Sequence, residues 1–219
     1  MYSLVRSVIA QPGQTSVVAA FDVDGTLTTR DCVRPFLWEV AGPALVTAIA
    51  RRPLVTALAV VRRDRDLLKE LACRSLADIE ADEIDARGQR FARKVRSAWM
   101  RPDTLARLDR HRELGHAVVL VSASLAPYLV PLGTLLGVDA VLCTELEVGP
   151  DGRLTGRLVG ANCRGPEKAR RLRAWLAEQG LEAAELHAYG DSRGDRELLA
   201  LAARPHLVRR VLVTAEPDR

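Results

Sequence analysis

The sequence of 219 residues has little lysine and few aromatic residues. Only three of its 32 basic residues are lysines, at positions 69, 94 and 168, and aromatic residues make up 4% of the chain. Proteins that bind nucleic acid generally carry a basic stripe interleaved with aromatic side chains on which bases stack. Here the arginine doublets are scattered and the net charge is only +4. We therefore interpret the doublets as solvated helix faces and expect no nucleic-acid binding.

Cysteine is scarce as well, with four residues at positions 32, 73, 143 and 163. No two of them are close enough in sequence to form the C-x-x-C pair that binds zinc or exchanges disulfides. This usage is typical of a reducing compartment, and we expect a cytoplasmic protein.

Long hydrophobic runs are also missing. The stretch Met1–Ala10 contains Arg6 and lacks the apolar core of a signal peptide. The longest uncharged stretch in the early part of the chain, Val40–Ala50, is too short to span a bilayer and is followed by two arginines. We therefore expect a soluble protein without a membrane span.

The sequence does contain short apolar runs that alternate with helical patterns. Each run is bounded by turn residues, as in a buried strand. Glycine at the helix ends and proline near one helix start agree with the boundaries. This alternation predicts an α/β fold with a doubly wound parallel sheet. The predicted strands are Ser16–Phe21, Ala117–Val121, Val138–Cys143 and Leu186–Tyr189, and the predicted helices are Arg101–Gly115, Leu125–Gly137 and Glu167–Gly180.

One segment interrupts the alternation. Residues 30–100 contain several helical patterns, Ala77–Trp99 being the clearest, and no convincing strand. We interpret this segment as an inserted helical subdomain, with residues 1–29 and 101–219 forming the α/β domain. Further along, Leu146–Leu158 has the pattern of a small hairpin with its turn at residues 150–152.

The first predicted strand ends in two carboxylates, Asp22 and Asp24, followed by Gly25 and Thr26. Open α/β sheets bind ligands at the carboxyl ends of their strands. Asp and Gly also form turns, but a chance D-x-D-G-T is improbable in a chain of this length. A calcium loop of the EF-hand type is excluded, because glycine follows Asp24 directly instead of standing at the sixth position.

Other predicted strand and helix ends add further polar groups. Ser122 ends the second strand, and Ser124 has the place of a helix N-cap. Lys168 lies in the first turn of a helix, where the helix dipole disfavours a cation. A compact charge that meets a phosphate would explain a lysine there, in a chain that prefers arginine. The last predicted strand is followed by Asp191 and Asp195.

This set of residues resembles the four motifs of the haloacid dehalogenase superfamily. The helical insertion after the first motif is similar to the cap of its subfamily I, as in phosphoserine phosphatases and related hydrolases of subfamily IB. The resemblance covers roughly Val17 to Ala202. It implies a Mg²⁺-dependent hydrolase of a small phosphomonoester. Asp24 disfavours the dehalogenases, which lack this acid, and the P-type ATPases, which have threonine there.

The resemblance implies a role for each motif residue. Asp22 would be the nucleophile that forms an aspartyl-phosphate, and Asp24 the general acid and base. One Mg²⁺ would be held by the Asp22 carboxylate, the Asp24 backbone carbonyl and Asp191. The phosphate-binding residues would be Gly25, Ser122, Ala123 and Lys168, with Asp195 and Thr26 in support.

The substrate is left open by three departures from the phosphoserine phosphatase pattern. This chain has Gly25 in place of a serine, Asp31 in place of a cap glutamate, and Ser192 in place of a glycine. Arg63 and Arg65 are the nearest candidates for the cap arginine that binds the substrate carboxylate. Phosphoserine is therefore one candidate substrate and a less polar phosphomonoester is another.

Two interpretations of the early insertion and of the phosphorylated aspartate also stay open. The apolar stretches Val40–Ala50 and Pro53–Val61 are typical of ordinary helix packing, of a cover over a less polar substrate, or of a homodimer interface. From a different class, a phospho-aspartate signalling protein would combine the same residue types on a doubly wound sheet. Such receiver domains are about half this length, place their aspartate later and have no helical cap.

Overall fold

The computed structural model describes residues 16–208, so the expectation for Met1–Ala10 lies outside the described residues. A five-stranded parallel sheet has the order β3-β2-β1-β6-β7. It confirms the predicted α/β fold. The strands are β1 (Val17–Phe21), β2 (Ala117–Leu125), β3 (Ala140–Thr144), β6 (Glu185–Gly190) and β7 (Arg204–Leu207). Strands β4 (Leu146–Val148) and β5 (Leu154–Leu158) form the predicted antiparallel hairpin.

Nine helices connect or cover these strands within the described residues. Five of them follow β1: α1 (Val33–Ala41), α2 (Pro43–Ala50), α3 (Pro53–Arg62), α4 (Arg65–Cys73) and α5 (Ala81–Ala98). The others are α6 (Pro102–Glu113), α7 (Ala126–Leu136), α8 (Pro166–Glu178) and α9 (Arg196–Leu201). Short 3₁₀ helices span Arg74–Leu76 and Arg193–Asp195.

Both faces of the sheet are buried, as expected for a doubly wound fold. Successive β1 residues alternate between two apolar clusters: Ala19 and Phe21 join one, and Val18 and Ala20 join the other. The first cluster also contains Phe36 of α1 and residues of α5 and α7, so the inserted helices share a core with the sheet. The boundary of a separate helical subdomain at residues 30–100 stays a prediction.

Helices α5 and α7 pack closely because of a glycine. A Cβ at Gly88 would lie 2.0 Å from the Pro127 carbonyl oxygen, so a larger residue there would push the two helices apart. This contact ties the inserted helices to the helix that follows β2.

The structure differs from the sequence prediction in two details. The predicted strands do not include β7 (Arg204–Leu207), which contains a proline and pairs only at the sheet edge. Strand β2 extends to Leu125, beyond the predicted end at Val121, and pairs with β3 again after an irregularity.

Among residues 16–208 no single helix has the length and apolar composition needed to cross a membrane. Helices α2 and α3 satisfy that test only when taken together, and they are bent by 90° relative to each other.

Candidate active site

Asp22 is the first residue after β1 and lies at the carboxyl edge of the sheet. Its backbone N–H donates to the Tyr189 carbonyl of β6 (2.9 Å), which continues the strand pairing to this point. The Thr26 hydroxyl donates to Asp22 Oδ2 (2.9 Å). The side chain is buried, so its orientation is set by neighbouring protein groups.

Lys168 is the cation beside Asp22. Helix α8 begins at Pro166 and places Lys168 in its first turn, with its Nζ donating to Asp22 Oδ1 (2.5 Å) and to Asp195 Oδ1 (2.5 Å). All three side chains are buried. A buried charge is costly unless it is paired and hydrogen-bonded, and here one lysine serves two carboxylates. We call Asp22, Lys168 and Asp195 the polar trio.

Burial and pairing shift the pKa values of Asp22 and Lys168. Burial raises the pKa of Asp22 to about 7, while the charge of Lys168 acts against the increase and that of Asp195 adds to it. Burial disfavours the charged form of Lys168, but Asp22 and Asp195 outweigh it and raise the pKa of the ammonium. Lys168 is thus held as a permanent cation next to Asp22.

Asp195 is fixed by the loop that follows β6. Its Oδ2 accepts from the backbone N–H (3.0 Å) and the hydroxyl (2.7 Å) of Ser192, in a reciprocal capping arrangement at the 3₁₀ helix. A Cβ at Gly190 would lie 2.5 Å from the Asp195 Cβ, so the end of β6 needs glycine for this approach. The loop thereby presents Asp195 to Lys168.

Asp191 forms a group of carboxylates with Asp22 and Asp195. Each residue offers one carboxylate oxygen, and these three oxygens lie within 4.8 Å of one another. Gly25 permits this approach: its φ is +90°, and a Cβ there would lie 2.4 Å from Asp191 Oδ2. The donor set consists of oxygen atoms and fits a hard divalent cation. The backbone carbonyl of Asp24, which the resemblance implies as a further ligand, stays a prediction.

The Asp24 carboxylate faces the inserted helices. Its Oδ2 accepts from the Ser124 hydroxyl (2.7 Å) and its Oδ1 from the Cys32 backbone N–H (2.9 Å), just before α1. Burial raises the pKa of Asp24, and the charge of Asp31 adds to the increase. Ser124 therefore does not cap α7, whose N-cap residue is Leu125, because β2 continues past it.

Ser122 and Ala123 lie next to each other in β2. The Ser122 hydroxyl is buried and accepts from the Ser124 backbone N–H (3.1 Å). The Ala123 carbonyl accepts from Lys69 Nζ, a contact with α4 that the sequence prediction missed. The predicted phosphate-binding stretch is thereby linked directly to the inserted helices.

Lys69 belongs to a polar network between α4 and the sheet edge. Its Nζ also donates to Asn162 Oδ1 (2.7 Å), which accepts from the Thr144 hydroxyl at the end of β3 (2.7 Å). Asn162 Nδ2 donates in turn to Asp66 of α4 (2.6 Å). Burial lowers the pKa of Lys69, and the charge of Asp24 is among the groups that act against this. The one feature of the sequence that could have singled out Lys69 is its residue type, since it is one of only three lysines.

The predicted substrate residues of the insertion lie at the surface. Asp31 is exposed, accepts from the Val33 backbone N–H (2.9 Å) and lies 3.7 Å from Arg34. Arg63 and Arg65 are exposed at the junction of α3 and α4, and within residues 16–208 neither side chain forms a hydrogen bond or ion pair. Asp31 is thus electrostatically linked to Asp24.

Comparison with known proteins identifies the family of this chain. A model of the haloacid dehalogenase-like hydrolase family matches residues 19–200. Protein CicA of Caulobacter vibrioides is 36% identical over 203 residues, which cover 91% of this chain and 89% of that protein. Phosphoserine phosphatase SerB2 of Mycobacterium tuberculosis is 28% identical over 191 residues, which cover 86% and 43%.

A similar fold occurs in a crystal structure of a protein of unknown function from Bordetella pertussis. The TM-score is 0.67 at 27% identity, and the match covers 88% of this chain and 89% of that one. The family match together with a phosphatase relative indicates that this chain is an enzyme of the phosphatase type. The chain belongs to the haloacid dehalogenase-like hydrolase family.

Proposed function

We propose that the protein is a Mg²⁺-dependent phosphomonoester hydrolase that forms an aspartyl-phosphate on Asp22. The observation that carries this proposal is the polar trio, in which a buried lysine lies 2.5 Å from Asp22 at the carboxyl edge of the sheet. A carboxylate can attack phosphorus only if the repulsion between two anions is offset. Lys168 supplies a fixed positive charge where the phosphoryl group would arrive.

The reaction divides into two displacements. In the first, an Asp22 carboxylate oxygen forms a bond to phosphorus as the bond to the leaving alcohol breaks, and Asp24 donates a proton to that alcohol. In the second, Asp24 removes a proton from water, which attacks phosphorus and releases inorganic phosphate together with the free Asp22 carboxylate. The raised pKa of Asp24 favours its donor role, because more of the carboxyl group is protonated near neutral pH.

The metal ligands we propose are the carboxylates of Asp22 and Asp191 and the backbone carbonyl of Asp24. Their oxygen donors fit Mg²⁺, and Asp195 lies close enough to support them. When bound, the ion supplies positive charge that reduces the repulsion between Asp22 and the phosphate.

The phosphate-binding residues we propose are Ser122, Ala123, Gly25 and Lys168. Thr26 keeps one oxygen of Asp22 in place through its hydroxyl, so that the other oxygen lies beside Lys168. Phosphoryl transfer depends mainly on such positioning and on charge stabilisation.

The leaving group would lie on the side of Asp24 that faces the inserted helices. Lys69 reaches this side from α4, and within the described residues its hydrogen-bond partners are two neutral oxygens. It is therefore a better placed candidate for an anionic substrate group than Arg63 or Arg65, which are exposed. A small phosphorylated metabolite with a carboxylate, such as phosphoserine, fits this arrangement, and the similarity to SerB2 supports it. A less polar phosphomonoester is the alternative, and a panel of substrates ranked by kcat/KM separates the two.

A phospho-aspartate signalling protein is the alternative from a different class. Asp24 argues against it, because a carboxyl group next to the phosphorylated residue promotes hydrolysis. A phosphoenzyme that lasts for minutes or longer in the unmodified protein would favour signalling. We also propose a cytoplasmic location, which the four unpaired cysteines support.

The test is Mg²⁺-dependent release of phosphate from p-nitrophenyl phosphate. We expect Asp22→Asn to lower kcat by at least about three orders of magnitude, because the amide is a poor nucleophile. Asp109→Asn, which changes a half-exposed carboxylate on α6, is the matched control and should leave the rate unchanged. Full turnover by Asp22→Asn, or equal turnover with and without a chelator, would contradict the proposal.

A further inference from the structure

Helices α2 and α3 are apolar but mostly exposed. No residue of α2 is buried, and Ala59 is the only buried residue of α3. We call the segment Pro43–Arg63 the apolar arm. Its large exposed side chains are Val46 (58% exposed), Leu54 (84%), Leu58 (43%), Val60 (58%) and Val61 (81%). A group of apolar side chains on one short element indicates a binding surface.

Arginines flank these apolar side chains. From Val40 to Arg63 the chain has four arginines, Arg51, Arg52, Arg62 and Arg63, and no acidic residue. All four are exposed, and within residues 16–208 none of them forms an ion pair. Removing these four from the 32 basic residues leaves 28 against 28 acidic residues, so the net charge of +4 equals the charge of this segment.

We propose that the apolar arm docks on the surface of an anionic lipid bilayer. Apolar side chains of an interfacial helix enter the boundary between headgroups and acyl chains, while arginines remain at the level of the lipid phosphates. The arm combines both features, with an arginine pair at the α2–α3 junction and another at the end of α3. The surface potential of anionic lipids attracts such unpaired positive charges.

A second copy of this chain is a poorer occupant of the same surface. In a twofold dimer the same patch meets itself, so the four arginines of one arm would approach those of the other. The arm has no acidic residue with which to pair them. An anionic bilayer, in contrast, offers negative charge next to an apolar layer.

The arm is also close to the candidate active site in the chain. It leads directly into α4, which packs against α2 and α3 and carries Lys69. Docking would therefore bring the inserted helices near the bilayer. The proposal goes beyond the hydrolase activity and does not depend on it, because its test measures binding.

The experiment is flotation of the full-length protein with vesicles, followed by measurement of the protein that rises with the lipid. One set contains phosphatidylcholine alone, and the other contains equal parts of phosphatidylcholine and phosphatidylglycerol. We expect binding to the anionic vesicles only, and weaker binding as the salt concentration rises.

Two variants test the two parts of the surface. Arg51→Gln combined with Arg52→Gln should weaken binding to the anionic vesicles by about tenfold or more. Leu54→Asp should also weaken it by about tenfold or more, because it places a charge in the apolar layer. The matched controls, Leu207→Asp and the pair Arg173→Gln with Arg196→Gln, are exposed elsewhere and should bind like the unmodified protein.

Circular dichroism and hydrolysis of p-nitrophenyl phosphate show whether each variant is folded, and we expect both to be unchanged. The proposal is overturned if the unmodified protein does not float with anionic vesicles, or if the arm variants bind as well as the controls. It is also overturned if sedimentation velocity shows a dimer that Leu54→Asp dissociates, since the arm would then bind a second copy.

Discussion

The polar trio and the apolar arm depart from ordinary burial in opposite directions. Asp22, Lys168 and Asp195 are charged and almost fully buried, whereas Leu54 and Val61 are apolar and more than four-fifths exposed. Buried charges cost free energy unless they are paired, and exposed apolar side chains give up the stabilisation that burial would provide. Neither arrangement is explained by stability, so each indicates a function.

The two departures indicate different kinds of function. The trio keeps charges in a fixed geometry, with every group hydrogen-bonded, which is what positioning and charge stabilisation in catalysis require. The arm has arginines that form no ion pair with the described residues, and these lie beside apolar side chains, which suits contact with another surface. We therefore expect changes in the trio to affect chemistry and stability, and changes in the arm to affect binding.

The largest effect on stability is expected from Lys168→Met. Two buried carboxylates would then face each other without a cation, and we expect a loss of about 3 kcal/mol or more in the free energy of unfolding, measured with urea. Without the charge of Lys168 the folded pKa of Asp22, which burial already raises to about 7, would rise further above its unfolded value, so the loss should be greater at pH 8 than at pH 5. Lys94→Met removes an exposed lysine paired with Glu39 and should cost less than about 1 kcal/mol. Equal losses in the two variants would contradict the role of the trio.

A smaller effect is expected from pH, through a buried group whose hydrogen-bond partners in the described part of the chain are His116 and Tyr189. Burial lowers the pKa of His111 to about 4, and the nearby His187, His116, His206 and Arg107 add to the decrease. The unfolded chain takes up a proton first, near pH 6.5, so the contribution of His111 to stability should fall as the pH drops from about 7 to about 5. The raised pKa of Asp22 acts in the opposite direction over the same range, so the His111 contribution is measured as a difference between two variants.

We expect this loss to be about 2 kcal/mol at most, since the neighbouring histidines share the environment of His111. Urea unfolding of the unmodified protein and of His111→Gln at several pH values measures it. The free energy of unfolding of the unmodified protein should fall relative to that of the variant as the pH drops from about 7 to about 5, and a constant difference would show that His111 is not the group responsible. The two buried groups therefore differ in their neighbours. Carboxylates beside Lys168 raise its pKa, whereas the histidines and the arginine near His111 lower the pKa of its ring.

The smallest effect on stability is expected from Leu54→Asp in the apolar arm. Because Leu54 is 84% exposed, the change removes little buried surface, and the free energy of unfolding should change by less than about 0.5 kcal/mol. Thermal unfolding without lipid is the measurement. A loss above about 2 kcal/mol would mean that Leu54 packs against the protein, and the comparison with the trio would fail.

The sequence is enough to predict that four polar residues lie close together, because parallel strands present their carboxyl ends at one edge of the sheet. These residues are Asp22, Lys168, Asp191 and Asp195. The type and order of the elements place these residues together without knowledge of side-chain packing. Lys168 could also be singled out, since a lysine is rare in this chain and disfavoured in the first turn of a helix.

Contacts between the inserted helices and the sheet could not be predicted. Lys69 meets a backbone carbonyl of β2 and an amide that precedes α8, and this depends on how α4 docks, which hydrophobic periodicity does not specify. The sequence places Ser124 where a helix N-cap is expected. Because β2 extends to Leu125, the Ser124 hydroxyl instead donates to Asp24. The sequence positions of Arg63 and Arg65 indicate that one of them could bind a substrate carboxylate. In the described structure, however, both side chains are exposed.

The central claim is that Asp22 carries the phosphoryl group during turnover. Mass spectrometry of the Asp24→Asn variant after a brief incubation with substrate and Mg²⁺ tests it most directly, because loss of the general base slows release of phosphate. We predict a mass increase of one phosphoryl group on the peptide that contains Asp22, and none when Asp22→Asn is added. A phosphoryl group on another residue, or full turnover by the double variant, would contradict the account.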